Sequence, residues 1–204
     1  MIVTGGREVI VLASGSATRR TMLENAGVPF VVDTAPVDEA AVKQSMRLET
    51  DNAARVAEVL AELKAVRVSA RHPGAIVIGA DQMLECDRQW FDKPADRTAA
   101  RAQLLALRDR SHRLVSSVVA VRDGQKLWHH TDSAQLTMRR FSDAFLDQYL
   151  ERAGDAVLSS VGAYQLEGLG AQLFMMVEGD HFTILGLPLL PLLDFLRENE
   201  GLTP

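Results

Sequence analysis

Short apolar runs that suit buried strands alternate along this chain with segments whose apolar residues recur at helical spacing. Residues 9–13 and 75–80 are runs of the first kind, and Asp123-Gly124 is a strong signal for a two-residue hairpin turn. This alternation, with a hairpin near its middle, predicts an α/β fold whose mixed sheet is flanked by helices. The other predicted strands span residues 30–32, 114–122, 126–139 and 173–177, and the predicted helices span 17–26, 51–67, 97–108, 145–153 and 188–198.

Size and charge narrow the class of protein further. The 204 residues, 47% hydrophobic and 24% charged, fit one globular domain over residues 1–204. Lys and Arg total 22 against 27 Asp and Glu, and the net charge of −5 argues against DNA, RNA or a membrane surface as partner. The single cysteine, Cys86, excludes an internal disulfide. Residues 1–11 lack the pattern of a signal peptide. The longest apolar run, residues 182–196, is interrupted by prolines and is too short to span a bilayer. We therefore expect a cytoplasmic protein.

The segment Ser14-Gly15-Ser16 separates the first predicted strand from the first predicted helix. A helix N-terminus attracts anions through its free N–H groups and its dipole, and Ser16 is a suitable N-cap. Arg19 and Arg20 then stand at the end of the first turn, where positive charge is unfavourable unless an anion binds there. The segment fits either a polyphosphate site or an ordinary capped helix with solvated arginines.

Asp81 directly follows the predicted strand at residues 75–80. A carboxylate just past the end of a buried strand points into the crevice where open α/β sheets bind ligands. Gly79 and Ala80 are small, so we expect them to let a ligand approach. A turn aspartate is the alternative, and the position favours a functional role.

Other charged residues are less informative by themselves. Asp38-Glu39 fits a site carboxylate or, more commonly, an acidic helix start. Lys64 borders the apolar face of its predicted helix, where a lysine either snorkels to solvent or reaches a phosphate. Lys93, held before Pro94, has the same two interpretations.

Two features that suggest chemistry are discounted. His129, His130 and Asp132 resemble metal ligands, but neighbouring side chains of a strand point to opposite faces. Cys86 lies beside acids that would raise its pKa, which argues against a nucleophilic thiolate.

Taken in chain order, these stretches resemble the Maf family of nucleoside triphosphate pyrophosphatases, also described as septum formation proteins. The order of the motifs, which extend over almost the whole chain, is more specific than any one of them. The matching stretches are residues 11–16 with Arg19 and Arg20, and residues 37–39, 60–65, 78–81, 92–94, 162–164, 167–168 and 185–188.

The resemblance implies a cleft between two lobes of a mixed-sheet α/β fold. It implies hydrolysis of a nucleoside triphosphate to the monophosphate and pyrophosphate, with a divalent cation, Mg²⁺ or Mn²⁺. Asp81 matches the proton acceptor, and we expect Glu39 and Asp81 to hold the metal. The implied catalytic residues are Asp81, Lys64, Lys93 and Glu39, and the implied substrate-binding residues are Ser14, Ser16, Thr18, Arg19, Arg20, Gln82 and Glu167.

Thr18, Gln82 and Glu167 match the positions linked to substrate choice in the family. Gln82 after Asp81 and Glu167 before Gly168 look like the branch acting on 7-methyl-GTP, which usually carries tryptophan where Thr18 stands. A carboxylate can accept from the adjacent N–H donors of a guanine edge and favours the positive charge of an N7-methylated base, whereas Gln82 can donate and accept. The expected substrate is therefore a nucleoside triphosphate, with a modified guanine as one candidate base.

A nucleotide-binding regulator of cell division with little turnover is the alternative, which the departures from the family pattern at Ala17, Thr18 and Ser160 permit. The simultaneous presence of Asp81 and the lysines favours the enzyme. The apolar residues 187–196 suit either a core helix or a homodimer contact.

Overall fold

The first apolar run forms β1 (Ile10–Leu12), which is fully buried, and Ser16 caps α1 (Ala17–Asn25) after it. The computed structural model describes residues 9–199 and residue 202, so the predicted features of residues 1–8 lie outside it. The chain continues with β2 (Val31–Val32), α2 (Glu39–Glu49), α3 (Ala53–Ser69), β3 (Ile76–Cys86), β4 (Gln89–Phe91), α4 (Arg97–Leu107), β5 (Ser111–Arg122), β6 (Gln125–Met138) and α5 (Asp143–Ala153). It ends with the 3₁₀ turns Gly154–Leu158, Val161–Ala163 and Leu169–Leu173, β7 (Phe174–Glu178), α6 (His181–Ile184) and α7 (Leu189–Glu198).

The seven described strands form one mixed sheet in the order β2-β1-β3-β5-β6-β7, with β4 paired to the far part of β3. β1 runs parallel to β2 and β3, whereas the remaining pairs are antiparallel. The β5–β6 hairpin turns at Asp123 and Gly124, which both have positive φ, as a type I′ turn requires. The predicted mixed α/β sheet is confirmed.

The expectation that a strand ends before Asp81 is wrong. β3 continues to Cys86, and Asp81 pairs with Ser117 of β5 inside it. The parallel pairing with β1 stops at Leu12 and Ile78, so Asp81 lies three residues beyond that part of the sheet. Its side chain thus occupies the crevice left where β1 ends, although β3 itself goes on.

Gly79 and Ala80 serve helix packing and the core, which contradicts the expectation that they let a ligand approach. A Cβ on Gly79 would lie 2.0 Å from the carbonyl oxygen of Ala61, so only glycine lets α3 pack this close to β3. Ala80 is fully buried in an apolar cluster. Gly79 thus fixes the position of α3, which carries Lys64.

The long strands β3, β5 and β6 run through two halves of the molecule. The first half has its apolar core between the sheet, α1 and α7, around Leu23 and Leu192. The second half packs the far part of the sheet against α4, α5 and the 3₁₀ turns, around Leu104 and Leu146. The apolar residues of α7 lie in the first core, except Leu190, which is 54% exposed.

Three elements near the cleft have no counterpart among the predicted helices and strands: α2, β4 and the four-residue helix α6. α2 contains no fully buried residue, and only Val42 and Met46 pack partly against α3 and its neighbours. β4 is a three-residue strand.

Within the described part of the chain, no helix combines the length and apolar character needed to span a bilayer.

Candidate functional site

Arg19 anchors the end of the site formed by the Ser14-Gly15-Ser16 loop. Its side chain is buried and donates from Nε to the Gly186 carbonyl at 2.8 Å, and from Nη1 to the Ala80 carbonyl at 2.8 Å and to Ser14 Oγ at 3.1 Å. Ser16 Oγ accepts from the backbone N–H of Arg19 at 3.3 Å, so the predicted N-cap is confirmed. Arg19 joins three separate segments and keeps only Nη2 without a partner among the described residues.

Burial lowers the pKa of Arg19, against the raising effect of nearby Asp81 and Glu39. The guanidinium therefore adds positive charge to a place that already holds two carboxylates. Arg20 is exposed and does not line the cleft, so the structure separates the two arginines that the sequence placed together.

The centre of the site is an ion triad made by Asp81, Lys64 and Glu39. Lys64 Nζ lies 2.5 Å from Asp81 Oδ1 and 2.7 Å from Glu39 Oε1, so one ammonium bridges two carboxylates. Asp81 is 5% exposed, and its Oδ2 has no hydrogen-bond partner within the part of the chain that the structure describes. Lys64 neither snorkels nor lies free, and the triad retains one net negative charge.

Each member of the triad is positioned by a different element. Asp81 comes from β3, Lys64 from α3, and Glu39 from the first turn of α2 after its N-cap Asp38. The side chain of Lys64 is 16% exposed. Burial raises the pKa of Glu39, but Lys64, with Lys43 and Lys93 further away, outweighs it and the pKa is lowered. Glu39 therefore stays ionised to a lower pH than an ordinary glutamate does.

Two more lysines extend the positive side of the cleft beyond Glu39. Lys43 follows Glu39 by one helical turn on α2, and its Nζ forms an ion pair with Asp92. Lys93 is exposed and lines the same cleft. Lys43 was not singled out from the sequence because α2 was not predicted; with that helix in place, the i, i+4 spacing from Glu39 would have indicated it.

Gln82 is held by the protein rather than free to donate to a ligand. Its Nε2 donates to Ser116 Oγ at 3.0 Å, to the Thr183 carbonyl at 3.2 Å and to the Ile184 carbonyl at 2.9 Å. Of the two roles expected for Gln82 towards a ligand, donor and acceptor, only that of an acceptor through Oε1 remains. The two bonds to Thr183 and Ile184 hold α6 beside the cleft, and the third joins Gln82 to β5.

The far end of the cleft is largely uncharged. Thr18 and the exposed Glu167 border it, and an apolar pocket of about 560 Å³ with Met22 and Phe182 in its walls adjoins it there. The two cavities share Ala17, Thr18, Glu167 and Leu185. The whole cleft measures about 800 Å³, a volume typical of small-molecule sites. Its neutral end is lined by Leu114, Leu158, Ser159, Ser160, Val161, Tyr164, Gln165, Leu166, Ile184 and Leu185.

The features discounted from the sequence stay outside this site. Among residues 9–199 and 202, no three His, Cys, Asp or Glu side chains cluster closely enough to hold a metal unaided, and His129, His130 and Asp132 do not line the cleft. Burial raises the pKa of the Cys86 thiol, and the nearby carboxylate of Asp87 adds a smaller effect in the same direction. Within the cleft, the ion triad brings two hard oxygen donors, the carboxylates of Asp81 and Glu39, close together.

Fold and cleft together define an α/β protein with a charged cleft of about 800 Å³ beside central β3, where β1 ends in a mixed sheet. The chain matches the family model described as Maf-like protein over residues 9–199. It therefore belongs to the Maf-like family.

Its relatives match over nearly their full length. It is 73% identical over 194 residues to a nucleoside triphosphate pyrophosphatase of Paramagnetospirillum magneticum, covering 95% of this chain and 100% of that protein. It is 55% identical over 194 residues to one from Granulibacter bethesdensis, covering 95% and 98%. It is 48% identical over 191 residues to a 7-methyl-GTP pyrophosphatase of Brucella abortus, covering 94% and 96%. Of the two names that these relatives carry, only the second specifies a base.

Proposed function

We propose that this protein hydrolyses a nucleoside triphosphate to the monophosphate and pyrophosphate. The observation that carries the proposal is the bridging of Asp81 and Glu39 by Lys64, with Lys43 and Lys93 on one side of it and a neutral cleft on the other. Charges of this kind suit a polyphosphate, and the neutral end suits a nucleoside. The names of the relatives support the same reaction.

In this proposal Asp81 accepts the proton of the attacking water. Its Oδ1 is bound to Lys64, which leaves Oδ2 for a water aligned with the α-phosphorus. Lys64 fixes the carboxylate in that orientation and adds positive charge beside the reacting phosphate. Arg19 Nη2 and Lys93 supply further charge for the triphosphate, whose leaving pyrophosphate gains negative charge in the transition state.

The residues of the triad also fit a divalent cation. Mg²⁺ in phosphoryl-transfer sites is held by one or two carboxylates together with substrate phosphates and water. Asp81 and Glu39 each have one oxygen bound to Lys64 and a second oxygen without a protein partner among the described residues. Mg²⁺ or Mn²⁺ held there would offset phosphate charge and polarise the phosphoryl group.

The base is proposed to lie at the neutral end, beside Glu167. A carboxylate there can accept two N–H groups from a guanine edge, and it would favour the positive charge of a 7-methylated base. Thr18 presents no aromatic ring, but the adjoining apolar pocket offers surface to a base at the same place. We therefore propose a guanine-type base, with 7-methyl-GTP as the specific candidate.

The test is pyrophosphate release from GTP, 7-methyl-GTP, CTP, UTP and dTTP, with magnesium or manganese, beside an Asp81→Asn variant. We expect metal-dependent release that ranks the guanine nucleotides first and is lost in Asp81→Asn, whereas nucleotide binding survives. Near-normal kcat in Asp81→Asn would remove that residue from the role of base. Binding without any release from the parent protein would instead favour the regulator.

A further inference from the structure

We infer that Lys43 binds the terminal phosphate of the substrate and the pyrophosphate that leaves, and that Asp92 holds Lys43 in place until the phosphate arrives. This rests on the proposed function. The pair lies in the cleft on the far side of Glu39 from Asp81, at the mouth formed by α2 and the Asp92-Lys93-Pro94 turn.

Lys43 is directed into the cleft by its helix. It follows Glu39 by four residues, which places both side chains on one face of α2. Its side chain is 13% exposed, unusually covered for a lysine on a helix that contains no fully buried residue. The helix therefore presents one acid and one ammonium to the same cleft.

The other cations of the site are already engaged. Lys64 is shared by two carboxylates, and Arg19 already donates hydrogen bonds from Nε and Nη1 to protein oxygens. Lys43 has one acidic partner, Asp92, whose side chain is 65% exposed. An ion pair with an exposed carboxylate contributes little to stability, since water solvates the carboxylate well when the lysine leaves it. Lys43 can therefore exchange Asp92 for a phosphate at small cost.

The order of charges along the cleft determines which phosphate Lys43 meets. The neutral end by Thr18 and Glu167 takes the base, and Asp81 acts at the α-phosphorus. Lys64 links Asp81 to Glu39, and Lys43 follows Glu39 by one turn of α2. Lys93 comes directly after Asp92, the partner of Lys43. A triphosphate laid along this line brings its terminal phosphate to Lys43.

The test measures binding of pyrophosphate, GTP and GMP by calorimetry in magnesium buffer, with Asp81→Asn as the common background to prevent turnover. Lys43→Met should weaken pyrophosphate and GTP by about tenfold or more, because a charge-assisted contact is lost, and leave GMP unchanged. Lys43→Arg should restore most of the affinity. Arg152→Met removes the same charge from the exposed last turn of α5, outside the cleft, and should change none of the three.

Asp92→Asn separates phosphate binding from a purely structural ion pair. If Lys43 and Asp92 formed only a structural ion pair, removing either partner would cause the same loss of affinity for pyrophosphate. If Lys43 itself binds the phosphate, the Asp92→Asn variant keeps its affinity for pyrophosphate. Equal losses in the two variants, or equal weakening of GMP and pyrophosphate in Lys43→Met, would overturn the inference. If the parent protein binds neither pyrophosphate nor GTP, the proposed function fails and this inference fails with it. If the parent binds and hydrolyses GTP but Lys43→Met behaves as Arg152→Met does, only the role of Lys43 is refuted.

Discussion

Arg19 donates from Nε to the carbonyl of Gly186 at 2.8 Å, which ties the first turn of α1 to the loop before α7. Gly186 has a φ of +97°, a conformation that L side chains rarely adopt, and this turns its carbonyl towards the guanidinium. The same guanidinium reaches the Ala80 carbonyl on β3. One arginine near the start of the chain thus joins α1, the sheet and the C-terminal segment around the cleft.

Replacing Arg19 should therefore destabilise the whole fold. Arg19→Met leaves the buried carbonyls of Gly186 and Ala80 without a donor, and we expect a loss of about 2–3 kcal/mol in the free energy of unfolding. Arg20→Met, one residue further on an exposed position, should stay within about 0.5 kcal/mol of the parent. Urea unfolding of both variants makes the comparison, and equal midpoints would contradict the structural role of Arg19.

Removing Lys64 should abolish turnover and change its pH dependence. Lys64→Met leaves Asp81 and Glu39 without their shared ammonium, and we expect kcat to fall at least about 100-fold. Lys64 also outweighs the raising effect of burial on the pKa of Glu39. Without Lys64 that pKa rises, Glu39 takes up a proton at higher pH, and the acidic limb of the kcat/KM profile moves to higher pH.

The chain offers a matched control for this experiment. Lys126 also bridges two carboxylates, those of Glu58 and Glu62, but it lies on the surface of the hairpin. Lys126→Met should leave kcat and the pH profile unchanged. A comparable loss in both variants, or an acidic limb that stays in place in Lys64→Met, would argue that Lys64 acts only through stability.

Glu167→Gln should weaken the preference for guanine nucleotides. The amide offers one acceptor oxygen in place of a carboxylate that accepts two N–H groups, so we expect the ratio of kcat/KM for GTP to that for UTP to fall about tenfold. The exposed Glu151→Gln on α5 keeps the same change of charge away from the cleft. An unchanged ratio in Glu167→Gln would exclude Glu167 from base recognition.

The sequence predicted the parts of the fold that rest on local rules. The apolar run before Ser14 and the cap at Ser16 define β1 and α1, and Asp123-Gly124 defines the hairpin. The end of β3 was misplaced because Asp81 and Gln82 interrupt its apolar pattern. Those side chains are polar because they belong to the cleft, so the pattern of burial no longer indicates the strand.

α2 was missed for a related reason. Only Val42 and Met46 give it an apolar face, and much of its attachment is polar, through Glu39, Lys43 and Arg47. Contacts of this kind depend on partners distant in sequence, such as Lys64, Asp92 and Trp90, which no local pattern specifies. For the site, family motifs indicated the residues, whereas their joint geometry, and Lys43 with it, required the fold.

His112 should make stability depend on pH in mildly acidic solution. It is buried with Nε2 2.7 Å from the Tyr164 hydroxyl and Nδ1 without a partner in the described part of the chain, and burial lowers its pKa to about 4. Between a pKa of about 6.5 in the unfolded chain and about 4 in the folded one, only the unfolded chain takes up this proton, so stability rises with pH by a total of roughly 3 kcal/mol. His112→Asn should remove that part of the dependence when urea unfolding at pH 4.5 is compared with pH 7.5, whereas His129→Asn, at an exposed histidine, should retain it. An identical pH dependence in the parent and in His112→Asn would show that the folded protein accepts a proton on His112 as readily as the unfolded chain does.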